Sequence, residues 1–441
     1  MVWQSIFTCA LLLFLNNAQV FAKEAPFVPP SVDQSGQKVF AKVLPFAYKV
    51  KTSPSADSPQ ASYGTGFVVD REGLLISNYH VVADSIIEPK KNKIFVIIDD
   101  QPIAGKVLAI DVVHDLSLIR IDKTFPRALP FAAAPPQQGT PIYSIGQPED
   151  LNMSIVAGTY NNEIDFGKYT IIHMSSPINS GMSGGPTVNQ NGEVIGVNVS
   201  KLVRASNLSF SVPARFAQAL YQKNKSLKEH ADVFWPDMEK QLMEVQESLT
   251  QEILKNAAAK KSFHQWNVPQ LSKALKCWSV EDKNSREEKE NFDVSTEICD
   301  LDHEAYLAEN AYSGAYKIAV MDFENKKLNS WQFFELLTTT GKFMVFNENP
   351  IKSMDQKPKL TTTGACTSEV VINKVGTRFK IGYCARAYTY FPLIQDVFLS
   401  LRTIEGPPNA LAVDLDLRGF TPENTKKIAQ KFVEEISRSQ P

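Results

Sequence analysis

The amino-acid sequence predicts an all-β sandwich or barrel, then a long helix, then a second domain of α+β type. Three observations carry that prediction. From about residue 37 to 215, short β-branched runs such as "GTGFVVD", "KIFVIID", "LSLIRID", "PIYSIG" and "EVIGVNVS" alternate with Gly, Pro, Asn and Asp, the spacing of many short strands. From Pro236 to about Ala259, the apolar residues Met238, Leu242, Val245, Leu249 and Ile253 recur at intervals of three and four, which makes one face of a helix. From 340 to 418 strand-like runs return ("KFMVFN", "EVVINK", "DVFLSLRTI"), and Thr421-Pro422-Glu423 supplies a cap, a first-turn proline and an early carboxylate for a closing helix.

The elements divide the chain in order. "FTCALLLFLNNAQVFA" is apolar, too short to span a bilayer comfortably, and ends in Val20-x-Ala22. Residues 1–22 are therefore expected to be a secretory signal cleaved before Lys23. No Lys or Arg precedes the apolar run, which leaves an uncleaved anchor as the competing expectation. Residues 23–222 are the β region, with a seam near "RALPFAAAPPQQGTP". Residues 223–262 are a helical linker and 263–441 an α+β accessory domain. With its own core and no cysteine, the β region is expected to fold without the rest.

The 441 residues are 43% hydrophobic and 21% charged, with net charge −2, the composition of an ordinary globular protein. No global field favours nucleic acid or an anionic membrane, so neither is expected as a partner. Past the signal, no apolar run is long enough to cross a bilayer. Four cysteines follow the signal, Cys277, Cys299, Cys366 and Cys384. An even number in an exported chain implies two disulfides with three possible connectivities, of which pairing between near neighbours is preferred. There is no C-x-x-C and no histidine close to a cysteine pair, so neither a metal nor another cofactor is expected. "VEDKNSREEKENFD" is charged and poor in apolar residues, as a solvated loop or frayed helix would be.

Chemistry points to "NSGMSGGP", where Ser183 stands among Gly181, Gly184 and Gly185. Glycines around a hydroxyl permit a sharp turn and a close approach. A serine hydroxyl needs an imidazole to take its proton, and the imidazole needs a carboxylate to fix its tautomer. Of six histidines, His230, His264 and His303 lie in or beyond the helical region, leaving His80, His114 and His173. His80 ends the strand-like "GLLISNYHVV", and Asp115 opens an alternating strand in "VVHDLSLIRI". His114, beside Asp115, is expected at the surface and pointing away from it. His173 has no evident partner and is expected to be structural.

The order His80, Asp115, Ser183 is that of chymotrypsin-fold proteases. With "GTGFVVD", "PIYSIGQP" and "NQNGEVIGVNVS", the stretch from about 60 to 215 resembles trypsin-like serine proteases of the HtrA kind. The resemblance implies two antiparallel β-barrels with the active site between them, and a polypeptide substrate. It assigns His80, Asp115 and Ser183 to catalysis, and the backbone N–H groups of Gly181 and Ser183 to the oxyanion hole. Asn198, Val199 and Ser200 match the strand that pairs with an extended peptide. Pro177 matches the base of the primary specificity pocket, and Ser209 a position that sets its width. No acidic residue appears there, so uncharged, small to medium apolar side chains are expected at the cleavage site.

Two departures from the family matter. Many relatives carry a peptide-binding PDZ domain after the protease, but no glycine-rich carboxylate-binding loop follows residue 220, and four cysteines are foreign to that module. Digestive relatives are switched on by an ion pair just before the nucleophile. Here that position is Met182, so no activation of that kind is expected. The competing function is a non-catalytic binding or adhesion protein on the same scaffold. The intact set of three residues favours an exported serine endopeptidase. The oligomeric state is left open.

Overall fold

Six short strands close the first barrel: β1 (Ala47–Ser53), β2 (Ser62–Val68), β3 (Leu74–Ser77), β4 (Lys93–Ile98), β5 (Gln101–Asp111) and β6 (Leu116–Ile121). They pair antiparallel in the order β1-β2-β3-β6-β5-β4, and β4 returns to β1. Alternation explains the curvature of each strand onto the core: in β4 Ile94, Val96 and Ile98 are buried while their neighbours are more exposed. Helix α1 (Gln34–Val43) precedes the barrel, and α2 (Tyr79–Ile87) leads from β3 toward β4. The computed structural model describes residues 34–439 apart from 149–150, 167–168, 200–208, 230–232, 258, 271–274, 281–290, 302–303, 309–310, 346–359 and 405–407. The signal-like segment, most of the charged stretch, His230, His303 and Ser200 lie outside the described residues.

The second barrel repeats the plan with β7 (Pro141–Gly146), β8 (Ser154–Phe166), β9 (Tyr169–Met174), β10 (Pro186–Val188), β11 (Val194–Val199) and β12 (Ser209–Pro213). Its order is β10-β11-β12-β9-β8-β7, closed where Thr187 stands opposite Ser144. The β region is thus two closed barrels, as the family resemblance implies. Helix α3 (Ala214–Asn224) follows β12 directly.

Beyond it, α4 (Trp235–Asn256) buries all five residues of the apolar stripe. A small sheet joins β13 (Lys260–Phe263) and β14 (Trp266–Pro269) to the C-terminal Ser437–Arg438. The main sheet of the C-terminal domain has seven antiparallel strands: β15 (Lys276–Val280), β16 (Phe292–Asp300), β19 (Ala315–Asn325), β20 (Ala365–Ile372), β21 (Arg378–Ala387), β22 (Gln395–Thr403) and β23 (Asn409–Phe420). Their order is β15-β16-β19-β23-β22-β21-β20. The hairpin β17 (Ala305–Ala308) and β18 (Ala311–Ser313) stands apart from it.

Helices cover both faces of this sheet. Leu249 and Ile253 of α4, with Ile428 and Phe432 of α6 (Pro422–Glu435), pack on the face bearing Leu399 and Leu415. Phe333 and Leu337 of α5 (Ser330–Val345) pack on the other, against Met321 and Phe323. The cap of α6 forms as its sequence predicts, the Thr421 hydroxyl accepting from the Asn424 N–H at 3.1 Å.

The disulfides join near neighbours, Cys277 to Cys299 and Cys366 to Cys384. Each pair stands directly opposite across a strand ladder, β15 on β16 and β20 on β21. They therefore pin the two outermost strands of the sheet, where pairing on only one side leaves a strand least secured.

The C-terminal domain is not simply appended. Residues 35–441 form one compact unit. One apolar core runs from the first barrel through Phe234, Met238 and Leu242 to Leu307, Phe391 and Ile394. A second core brings Tyr169 and Ile171 of the second barrel against Val245 and Leu249. Independent folding of residues 23–222 is accordingly revised, because the buried faces of α2 and β9 are completed by residues after 234. Reducing both disulfides is expected to destabilise the protein by about 2 to 5 kcal/mol for each bridge. Denaturant midpoints measured with and without reductant check this, and coincident curves would refute it.

Candidate active site

Asp115 lies in the tight turn between β5 and β6, at φ 54°, a left-handed backbone that non-glycine residues seldom adopt. The turn is held by what it grips. The Asp115 carbonyl accepts from the Tyr79 N–H at 3.0 Å and from the Asn78 side-chain amide at 2.8 Å. One carboxylate oxygen accepts from the His80 N–H at 2.8 Å, and the other lies 2.5 Å from His80 Nδ1. A carboxylate only accepts, so the imidazole proton sits on Nδ1 and Nε2 is left as a base.

His80 is not on a strand, as its sequence context predicts. β3 ends at Ser77, Asn78 is the N-cap, and His80 is the second residue of α2. The apolar residues on either side of the junction, Leu74 to Ile76 in β3 and Val81 and Val82 in α2, are all buried whichever element they occupy, which is why the switch is invisible to periodicity.

The Ser183 loop is clamped between the barrels. From the first barrel, the Thr65 N–H donates to the Ser183 carbonyl at 2.7 Å and the Thr65 hydroxyl to the Gly181 carbonyl at 2.8 Å. From the second, the Gly184 N–H donates to the Asn198 carbonyl at 2.9 Å, and the Asn198 amide reaches the Ile145 and Met182 carbonyls at 3.0 and 3.4 Å. The glycines have distinct reasons. A Cβ on Gly184, at φ 84°, would stand 2.3 Å from both Ser77 Oγ and the Thr65 carbonyl oxygen. One on Gly185 would stand 2.1 Å from the Ile145 carbonyl oxygen. Two barrels meet here with no room for a side chain.

Ser183 is 2% exposed and the His80 side chain 7%, so the site is nearly enclosed rather than set in an open cleft. Part of the cover comes from the C-terminal domain: the Tyr306 ring meets the His80 ring edge to face, centroids 5.9 Å apart. Tyr306 has no sequence signal linking it to His80, since the contact joins residues in different domains.

The remaining residues divide by position. Gly181 has φ 88° in the turn before Met182, whose side chain is wholly buried and apolar. Pro177 is exposed, and the adjacent Ile178 N–H donates to the Ser209 hydroxyl at 3.2 Å. Asn198 is fully buried, with its N–H on the Gly185 carbonyl and its own carbonyl on Gly184. Its backbone and side chain therefore hold the serine loop instead of offering a free strand edge. Val199 lines a small cavity with His80 and Asp115, and Ser200 is outside the described residues. His114 is part-buried, 2.7 Å from Asp111 and stacked on Phe216. His173 meets the Asn161 amide, at 3.5 Å, and the Phe210 ring. His114 also lines the cavity beside His80 and Asp115.

Residues 64–197 match the family model described as trypsin-like peptidase domain. This segment is similar to trypsin-like peptidase domains. Among curated relatives, the mitochondrial serine protease HTRA2 of Bos taurus is 34% identical over 176 residues, 37% of this chain and 37% of that protein. Serine protease HTRA1A of Danio rerio is 33% identical over 164 residues, 34% of this chain and 32% of that protein. The chain thus spans less than half the length of these relatives. The crystal structure of the serine endoprotease from Yersinia pestis aligns with TM-score 0.38 and 23% identity, covering 44% of this chain and 67% of that one. The matched residues of the peptidase domain include His80, Asp115 and Ser183.

Gly184→Ala is expected to destabilise the peptidase domain by more than about 2 kcal/mol, since it adds backbone strain to a clash with two oxygens. Thermal unfolding of the full chain measures it, and an unchanged midpoint would show that the serine loop is less confined than its packing implies.

Proposed function

We propose that the protein is a serine endopeptidase that cleaves polypeptides through an acyl-enzyme on Ser183. The observation that carries this reading is the grip of Asp115 on His80. It fixes the base, its tautomer and its orientation, on the element that packs against the serine loop. A Cβ on Gly64 would touch both the Val81 side chain, at 2.4 Å, and the Ser183 carbonyl oxygen, at 3.0 Å, so the two catalytic segments meet across one glycine.

In this mechanism His80 Nε2 takes the Ser183 proton as the hydroxyl oxygen attacks the scissile carbonyl. Asp115 remains ionised and stabilises the imidazolium that forms. The N–H groups of Gly181 and Ser183 receive the developing negative charge, a contribution worth roughly 3 kcal/mol for one such donor. His80 then returns the proton to the leaving amine, and water repeats the sequence to release the acyl group. No metal or cofactor takes part in these steps. Export is part of the proposal, supported by two disulfides in a chain with a signal-like N-terminus. Among the described residues, no helix is long and apolar enough to cross a membrane.

Ser183→Ala and His80→Ala are each expected to abolish turnover of an unstructured protein substrate, and the double variant to be hardly worse than either. Asp115→Asn is expected to lower kcat by about 10⁴-fold. Wild-type turnover that survives these changes would overturn the proposal. A wild type that binds polypeptide without cleaving it would instead support the non-catalytic scaffold.

A further inference from the structure

The β17–β18 hairpin sends two tyrosines to the active site. Tyr306 and Tyr312 stand opposite each other across the hairpin, their rings edge to face at 5.6 Å. Tyr306 continues the stack onto Tyr79 at 6.2 Å and His80 at 5.9 Å. Beneath the pair lies a cavity of about 50 Å³. Val112, Ile171, Val199 and Val212 line it from the barrels together with His80, Asp115, His114 and Thr170, and Glu304 lines it from the C-terminal domain.

The hairpin is anchored firmly. The Tyr79 hydroxyl donates to the Leu307 carbonyl at 2.9 Å, and the Tyr169 hydroxyl to the Gly314 carbonyl at 2.8 Å. Burial raises the pKa of both phenols, which keeps them as donors. The Gly314 N–H donates to the Arg418 carbonyl at 3.0 Å, and Arg418 also pairs with Glu304 at 3.4 Å. Gly314 has no room for a side chain, since a Cβ would lie 2.5 Å from the Tyr169 hydroxyl. A segment held by the first barrel at Leu307 and by the second barrel and β23 at Gly314 is part of the wall, not a lid that swings.

We propose that Tyr306 and Tyr312 are specificity-determining residues, the C-terminal domain's contribution to the substrate groove, and that they restrict the substrate position beside His80 to small apolar side chains. The proposal rests on the endopeptidase reading. Size and lining decide the occupant. The cavity holds roughly three to five water-sized spheres, which accommodates Ala, Val or Pro readily and leaves an aromatic ring little room. The surface it exposes is mostly apolar, which disfavours an amide side chain, and the carboxylates of Glu304 and Asp115 in the lining disfavour an acidic one. Because Val199 lines the cavity beside His80, a peptide bound across His80 would direct one side chain into it.

The test is a cleavage profile of the full chain against a peptide mixture randomised on both sides of the scissile bond. For Tyr306→Ala/Tyr312→Ala, kcat/KM for peptides with Leu or Phe at one position is expected to rise about tenfold relative to Ala or Val there, with other positions unchanged. Tyr312→Trp, at an exposed position, is expected to shift the same preference toward Gly and Ala, and guards against a folding defect in the double variant. A uniform rise for all peptides would mean that the hairpin only covers the site, and would overturn the proposal, as would Ser183-dependent cleavage with an unchanged profile. Absence of Ser183-dependent cleavage in the wild type would overturn the endopeptidase reading and this proposal together.

Discussion

The carboxylate of Asp115 governs the rest of the site. Its turn makes four hydrogen bonds to residues 78–80, two through the carbonyl and two through the carboxylate. These bonds join the end of β3 to the start of β6 and dictate that the chain after Ser77 turns into a helix. They also explain how a non-glycine residue is kept at positive φ: strain of about 1 to 3 kcal/mol is tolerable where the surroundings leave no alternative. A base whose ring orientation is fixed before substrate arrives requires little reorganisation in the reaction.

The serine loop depends on the same junction. Thr65 of β2 holds Gly181 and Ser183 from the first barrel, while Asn198 of β11 holds Met182 and Gly184 from the second. The loop thus exists only where the barrels are docked. Three glycines in eight residues, a composition that alone would make a flexible segment, instead admit backbone from both sides. Their freedom is used up by contact.

Much of this was legible in the sequence. β-branched runs broken by turn residues marked the strands, and spacing of three and four marked the buried face of α4 residue by residue. The order and context of His80, Asp115 and Ser183 carried the two-barrel fold through a family resemblance. What was hidden has a common cause. The helical setting of His80 was hidden because the apolar residues flanking it, Leu74 to Ile76 and Val81 and Val82, are all buried, so no period distinguishes strand from helix. The burial of Asn198 beneath the serine loop, the joint core of Tyr79 with Leu307, and the approach of Tyr306 to His80 all involve partners tens to hundreds of residues apart. Local pattern carries no information about such pairs. The cysteines were an intermediate case: parity gave two disulfides, and only the strand register decided the partners.

The C-terminal domain enters this picture as structure before function. It completes the apolar cores of both barrels and brings an aromatic pair to His80, so its removal would disturb the site without touching His80, Asp115 or Ser183. The central claim remains that Asp115, through His80, makes Ser183 a nucleophile. It is tested most directly by treating the full chain with a fluorophosphonate and mapping the adduct by mass spectrometry. The account predicts one adduct, on Ser183, formed rapidly by the wild type and lost in His80→Ala. An adduct on another residue, or labelling of Ser183 that is indifferent to His80, would contradict it.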